Sequence, residues 1–250
     1  MNMVDLSIIF IAALASSVFG TLIGGSSLIT IPTLVLLGLP PHAAIGTDRL
    51  GITGISIAGW YQFHKRGMIH YRVGFVIGIA ALCGSFIGAN LALQVKGATL
   101  KIIIAMITLA ILPLLIFNPQ RGIEKTKEIL NRRDYFIGGL LSFFIGIYGG
   151  FYGPMAGTFL CYVLIVWFGQ TFLESAATFK IGSLLMTSMA AAVYASKGAV
   201  HYPMAVAMFS GSCIGSCLGV HYSDRIGNIW IKRLFILLVL VMIVKLLTQR

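Results

Sequence analysis

Residues 6–37 read LSIIFIAALASSVFGTLIGGSSLITIPTLVLL, an apolar stretch whose length decides the fold. One helix of that many residues, rising about 1.5 Å per residue, reaches ~50 Å, well past the ~30 Å hydrocarbon core of a bilayer. Something must interrupt it, and the sequence supplies the means in Gly20, in Gly24-Gly25-Ser26-Ser27 and in Pro32. Glycine weakens a helix through backbone entropy and proline through its missing N–H. The stretch therefore predicts two half-helices joined by a Gly-rich break, as a re-entrant hairpin or a broken spanning helix; the plainer alternative is that the glycines only let helices pack closely. Residues 135–168 read the same way, with Gly146, Gly149-Gly150-Phe151-Tyr152-Gly153-Pro154 and Gly157 in the corresponding place.

Working outward, six further apolar runs occupy approximately 42–64, 73–94, 99–117, 172–195, 203–221 and 229–247. All must be helical in lipid, where every backbone polar group needs an internal partner. The composition agrees: 58% of the 250 residues are hydrophobic and 10% charged, against roughly 25% charged in a soluble domain. The net charge of +11 does not signal nucleic acid, because the cations sit singly or in small groups between apolar runs rather than on one polar face. The expected fold is an all-α polytopic membrane protein of about eight segments, embedded in the lipid bilayer of the cell (inner) membrane. Met1–Asp5 lacks the basic start of a secretory signal, so the first segment is expected to stay with the mature chain.

The strongly polar stretch 118–134 divides the chain into 1–117 and 135–250, and the halves resemble each other at a constant offset of 131 residues. Gly38 matches Gly169, Thr47 Thr178, Gly51 Gly182, Gly67 Gly198, His70-Tyr71 His201-Tyr202, Gly84-Ser85 Gly215-Ser216, Gly88 Gly219 and Lys101 Lys232. Ungapped agreement at Gly, His, Tyr and Lys indicates duplication, a pattern of secondary transporters with their site between repeats. Three crossings plus a hairpin per half would make the repeats inverted, four crossings would make them parallel, and the distribution of loop cations fits either. The inverted arrangement is favoured.

Two motifs carry the chemistry. Gly46-Thr47-Asp48-Arg49-Leu50-Gly51 and Ala177-Thr178-Phe179-Lys180-Ile181-Gly182 each put a cation two residues after a threonine inside an apolar segment. An intramembrane Arg or Lys costs about 2.5 to 3.5 kcal/mol and is a functional candidate by default, the alternative being snorkelling to the headgroups. Half-helix N-termini expose free N–H groups and the positive end of a dipole, which suits an anion. The candidate substrate-binding residues are thus Gly24, Gly25, Ser26, Ser27, Thr47, Arg49, Gly149, Gly150, Gly153, Thr178 and Lys180, around a small anionic substrate. Asp48 is either a coupling group or the ion-pair partner of Arg49. No HExxH or DxxD-like cluster points to catalysis, so no catalytic residue, metal or cofactor is expected, and an enzyme or an accessory subunit is the alternative.

These residues give the chain a resemblance, over nearly its whole length, to the sulfite exporter TauE/SafE family of membrane permeases. The Gly-rich first segment ending in Pro32, the Gly46-Thr47-Asp48-Arg49 motif, where that family typically shows Gly-Thr-Asn-Lys, Thr178-Phe179-Lys180, similar to its Thr-x-Lys, and the charged central linker recur in order. The resemblance implies a permease or exporter for sulfite, an organosulfonate or another small sulfur-containing or organic anion.

The remaining polar residues read more plainly. His70-Tyr71 and His201-Tyr202 suit anchoring at the membrane interface. Cys213 and Cys217 share a helix face without a His or carboxylate beside them and read as small packing residues. Gly84, Gly88, Gly211, Gly215 and Gly219 form small-residue faces for close helix contact, and make a homodimer plausible.

Overall fold

The computed structural model describes residues 3–95 and 130–223, and among these the fold is entirely helical. In chain order the helices are α1 (Met3–Ile23), α2 (Ser27–Leu36), α3 (Pro41–Lys65), α4 (Tyr71–Gln94), α5 (Arg132–Phe151), α6 (Ala156–Val166), α7 (Phe172–Ser196) and α8 (Tyr202–Ser223). Five of them, α1, α4, α5, α7 and α8, are long and apolar enough to cross a membrane. The segments expected at 99–117 and 229–247, most of the linker, and the Lys101–Lys232 match lie outside the described residues.

Both over-long stretches are interrupted where their glycines stand. Between α1 and α2 the backbone turns through Gly24 (φ +82°) and Gly25 (φ +84°), left-handed values that a side chain disfavours. The chain then reverses. Ser26 Oγ donates to the Ser16 carbonyl at 3.3 Å, a contact across ten residues that a continuous helix would hold about 15 Å apart. The second break, through Gly153 (φ +89°) and the left-handed Met155 (φ +65°), behaves alike. Tyr148 donates its hydroxyl to the Pro154 carbonyl at 2.7 Å, and its ring lies 5.7 Å from that of Phe159. Each pair is therefore a helical hairpin rather than one kinked rod.

Short connections punctuated by left-handed glycines follow. Gly38, Gly67, Gly169 and Gly198 all have positive φ, the usual way to end a helix when the next begins nearby. α3 and α7 both run for 25 residues and begin 131 positions apart. α7 opens with a capping box in which Thr171 N–H donates to Glu174 Oε2 at 2.9 Å and Glu174 N–H to Thr171 Oγ1 at 3.2 Å.

The long helices exchange partners between the two halves. Gly84 and Gly88 of α4 lie so close to Phe143 and Ile147 of α5 that a Cβ would strike those carbonyls; Gly215 and Gly219 of α8 meet Leu14 and Val18 of α1 in the same manner. Small residues let the backbones approach where packing, not hydrophobic expulsion, holds helices together in lipid. Outward faces carry Phe75, Ile79, Phe136 and Val206, all more than half exposed. Hydroxyls go inward: Ser17, Thr21, Thr30, Ser85, Ser142, Ser175 and Ser216 are fully buried.

Candidate transport site

α3 is the helix that departs most from a plain membrane span. It carries two consecutive charges, and Ala44 to Ser56 is buried apart from Leu50. Neighbouring positions on a helix diverge by about 100°, yet the long Arg49 side chain folds back so that Nη2 lies 2.5 Å from Asp48 Oδ2. The same Nη2 donates to Ser27 Oγ at 2.8 Å, and Ser27 Oγ in turn donates to Asp48 Oδ2 at 2.8 Å. Thr30 Oγ1 donates to the other carboxylate oxygen, Asp48 Oδ1. Two hydroxyls from the first turn of α2 thus seat the carboxylate, and the carboxylate seats the guanidinium. Asp48 is completely buried and Arg49 retains 1% of its surface. Taking one charge out of water costs several kcal/mol, so such a pair stands only because its hydrogen bonds are met.

The guanidinium is not saturated. Among the described residues Arg49 Nε has no hydrogen-bond partner, and Gly153 of the second break abuts the group so tightly that a Cβ there would overlap Nη1. Arg49 therefore faces both hairpins. At this meeting point lies a cavity of about 40 Å³, lined by Gly20, Gly24, Gly25, Ser26 and Ser27 from the first hairpin, Gly153, Met155 and Gly157 from the second, Arg49, Ile52 and Ile55 from α3, and Phe179, Ser183, Met186 and Thr187 from α7. The first residues of α2 and α6 contribute to it together. At the start of α2 the Leu28 and Ile29 N–H groups donate to the Gly25 and Ser26 carbonyls, and at the start of α6 Ala156 N–H donates to the Gly153 carbonyl, so the two helix ends add beside the guanidinium chiefly the positive ends of their dipoles, which favour negative charge.

The structure brings six of the residues singled out from the sequence to this cavity: Gly24, Gly25, Ser26, Ser27, Arg49 and Gly153. Others lie elsewhere. Thr47 Oγ1 accepts the His201 backbone N–H at 2.9 Å, and Thr178 Oγ1 accepts that of His70 at 3.2 Å. This crossed pair of bonds ties the start of α8 to α3 and the start of α4 to α7. Gly149 packs against Met186, and Gly150 against the backbone of Ser85; the Gly150 carbonyl also accepts the Tyr194 hydroxyl at 3.3 Å. Asp48 stands behind Arg49, outside the lining.

Lys180 is fully buried, and among the described residues its Nζ has no hydrogen-bond partner. It stands 4.4 Å over the Phe179 ring, with its aliphatic stem against Gly59 of α3. It is thus displaced along the α3–α7 seam from the cavity that Arg49 lines. Ser183 and Thr187, which do line the cavity, were missed in the sequence. Their spacing of four on one helix face was the available signal, but it is common among the many small hydroxyl residues of this chain. Ser56 Oγ donates to Ser183 Oγ at 3.0 Å, bridging α3 and α7 beside the cavity. The Cys213 thiol donates a weak hydrogen bond to the Gly54 carbonyl at 3.5 Å.

Membrane-length helices, two helical hairpins whose breaks meet, and a cavity between them that holds a buried guanidinium fit a multi-pass membrane transporter. The family model described as sulfite exporter TauE/SafE matches residues 8–246, and the chain belongs to that family. It is 28% identical over 241 residues to a probable membrane transporter protein of Haemophilus influenzae, covering 96% of this chain and 93% of that one. It is likewise 28% identical over 246 residues to the probable membrane transporter protein ORF9 of a Sinorhizobium species, covering 98% and 93%. Against the probable membrane transporter protein YfcA of Escherichia coli K12 the identity is 27% over 222 residues, covering 85% and 80%. No solved structure matches the chain.

Proposed function

We propose that the protein is an inner-membrane permease that exports a small oxyanion, sulfite or an organosulfonate-type sulfur anion, by alternately exposing the cavity at Arg49 to either side. The observation that carries this reading is the Arg49 guanidinium, buried to 1%, unpartnered at Nε and set where both backbone breaks open into one cavity. Gly24, Gly25 and Gly153 let an oxyanion approach the backbone, and Ser26 and Ser27 add neutral donors. Asp48 acts as the anchor that aims Arg49 rather than as a ligand. A cavity of about 40 Å³ holds roughly three waters, since each needs about 10–15 Å³ on that measure; this scale suits a compact anion. The halves 1–117 and 135–250 rock against each other as inverted repeats about this point, with 118–134 as their link. Thr47 and Thr178 serve as the crossed ties of that motion.

Flux of sulfite, methanesulfonate and sulfate into proteoliposomes tests the reading. The parent protein should show saturation and counterflow, and Arg49→Gln should lose at least about tenfold in flux, the worth of one charge-assisted hydrogen bond of about 1.5 kcal/mol. Unchanged saturable flux in Arg49→Gln removes the residue from the site. Turnover of substrate to a new product would favour an enzyme instead.

A further inference from the structure

We infer that Lys180 is the proton-carrying group of this transporter, taking up one proton as an anion enters the Arg49 cavity and releasing it when the anion leaves. The inference rests on the anion-permease reading above and deepens it. Its basis is a mismatch between burial and partners: Lys180 Nζ is fully buried, yet among the described residues it has no acceptor. An ammonium in such a place needs a counter-charge, and a neutral amine does not.

Among the described residues the surroundings supply none. On α3, Asp48 is committed to Arg49, Ser27 and Thr30. On α6, Cys161 interacts electrostatically with Lys180, and a neutral thiol provides no charge. On α5, the Tyr148 hydroxyl donates to Pro154. From α4, His70 faces Glu174 at the α7 entrance, 3.6 Å away. On α8, Ser216 donates to the Ile55 carbonyl and shares a 2.8 Å bond with Thr21 of α1.

The missing negative charge is therefore the cargo itself. Phe179, whose ring carries Lys180 Nζ on its face, also lines the cavity, and Ser183, one turn further along α7, does so too. Phe179 is thus the shared wall between the amine and an anion in the cavity, and across such a low-dielectric wall the anion favours the ammonium. The step balances simply: the amine gains a proton from water on one side and returns it on the other, and no electrons move. One negative and one positive charge cross together.

Calorimetric titration of the purified protein in two buffers of different ionisation enthalpy counts the protons. The probes are methanesulfonate and thiosulfate, which stay ionised near neutral pH, so any proton taken up belongs to the protein. We expect uptake of about one proton per anion bound in the parent, and binding without uptake in Lys180→Met and in Lys180→Arg, whose charge is permanent. Anion binding without proton uptake in the parent overturns the inference, needs no variant, and leaves the permease reading standing. Uptake that persists in either folded variant overturns it as well. Failure of the parent to bind either anion removes the permease reading first, and this inference with it.

Discussion

Arg49 on α3 and Lys180 on α7 occupy matching positions, 131 residues apart on helices of equal length, and are housed in opposite ways. Around Arg49 stand Asp48, Ser27 and Thr30, which close a buried network of charge and hydroxyls. At the same offset, the places of Asp48, Ser27 and Thr30 are taken by Phe179, Thr158 and Cys161. The network is gone: Lys180 Nζ has an aromatic face instead of a carboxylate, and Thr158 Oγ1 is itself buried without a partner among the described residues. One scaffold thus holds a cation fixed by its own counter-ion and another with no counter-ion among the described residues. The lesson is that equivalent position does not give equivalent chemistry; three neighbouring substitutions decide whether a buried charge is a fixture or a variable.

The comparison can be broken most forcefully at Asp48. Asp48→Asn leaves Arg49 buried and uncompensated, and should cost about 3–5 kcal/mol, read as a large fall in unfolding temperature in detergent. Thermal unfolding of Lys180→Met is the counterpart, and should show no comparable loss. Equal losses in the two would erase the distinction.

Gly153→Ala comes next. The substitution asks an alanine to hold a left-handed φ and drives its methyl into the guanidinium, so a loss of about 2 kcal/mol is expected, of which about 1–2 comes from the backbone alone. Anion flux should fall with it, because Arg49 must move. The equivalent test at Gly38, also left-handed but with open space where the Cβ would stand, should cost only the backbone part and leave flux intact.

Where the halves are alike, the variants should be alike. Thr47→Val and Thr178→Val each strip an acceptor from a histidine backbone N–H and should cost about 1 kcal/mol apiece. The effects should add in the double variant, since the sites share no partner. The smallest effect belongs to Glu174→Gln, which keeps the capping geometry and removes the charge facing His70. The loss should stay below about 1 kcal/mol for so exposed a contact, measurable as a minor shift in unfolding temperature.

Much of this architecture is legible before folding. The excess length of 6–37 and 135–168 requires breaks, and Gly24, Gly25 and Gly153 sit at them because a left-handed backbone costs glycine least, although the second break also holds Met155 in that conformation. Arg49 and Lys180 stand out as charges in apolar segments. What the sequence hides is the third dimension. Thr47 reads as a ligand beside Arg49, but two residues of helix rotation point it at His201. Ser27 and Thr30 reach Asp48 only because α2 folds back onto α3, a tertiary event with no local signature. Ser183 and Thr187 become cavity wall through the approach of both hairpin tips to α7, and nothing in their own neighbourhood announces it.

The swapped glycine contacts have a consequence for how the molecule is made. α1 leaves the ribosome well before its partner: the small-residue groove that receives it, Gly211, Gly215 and Gly219 on α8, is translated some two hundred residues later. Until then the amino-terminal half sits in the bilayer with its polar seam of Ser17 and Thr21 unsheathed. A chain truncated before Tyr202 therefore lacks the groove against which its own first helix packs, and the pairing of α1 with α8 waits until most of the chain has been made.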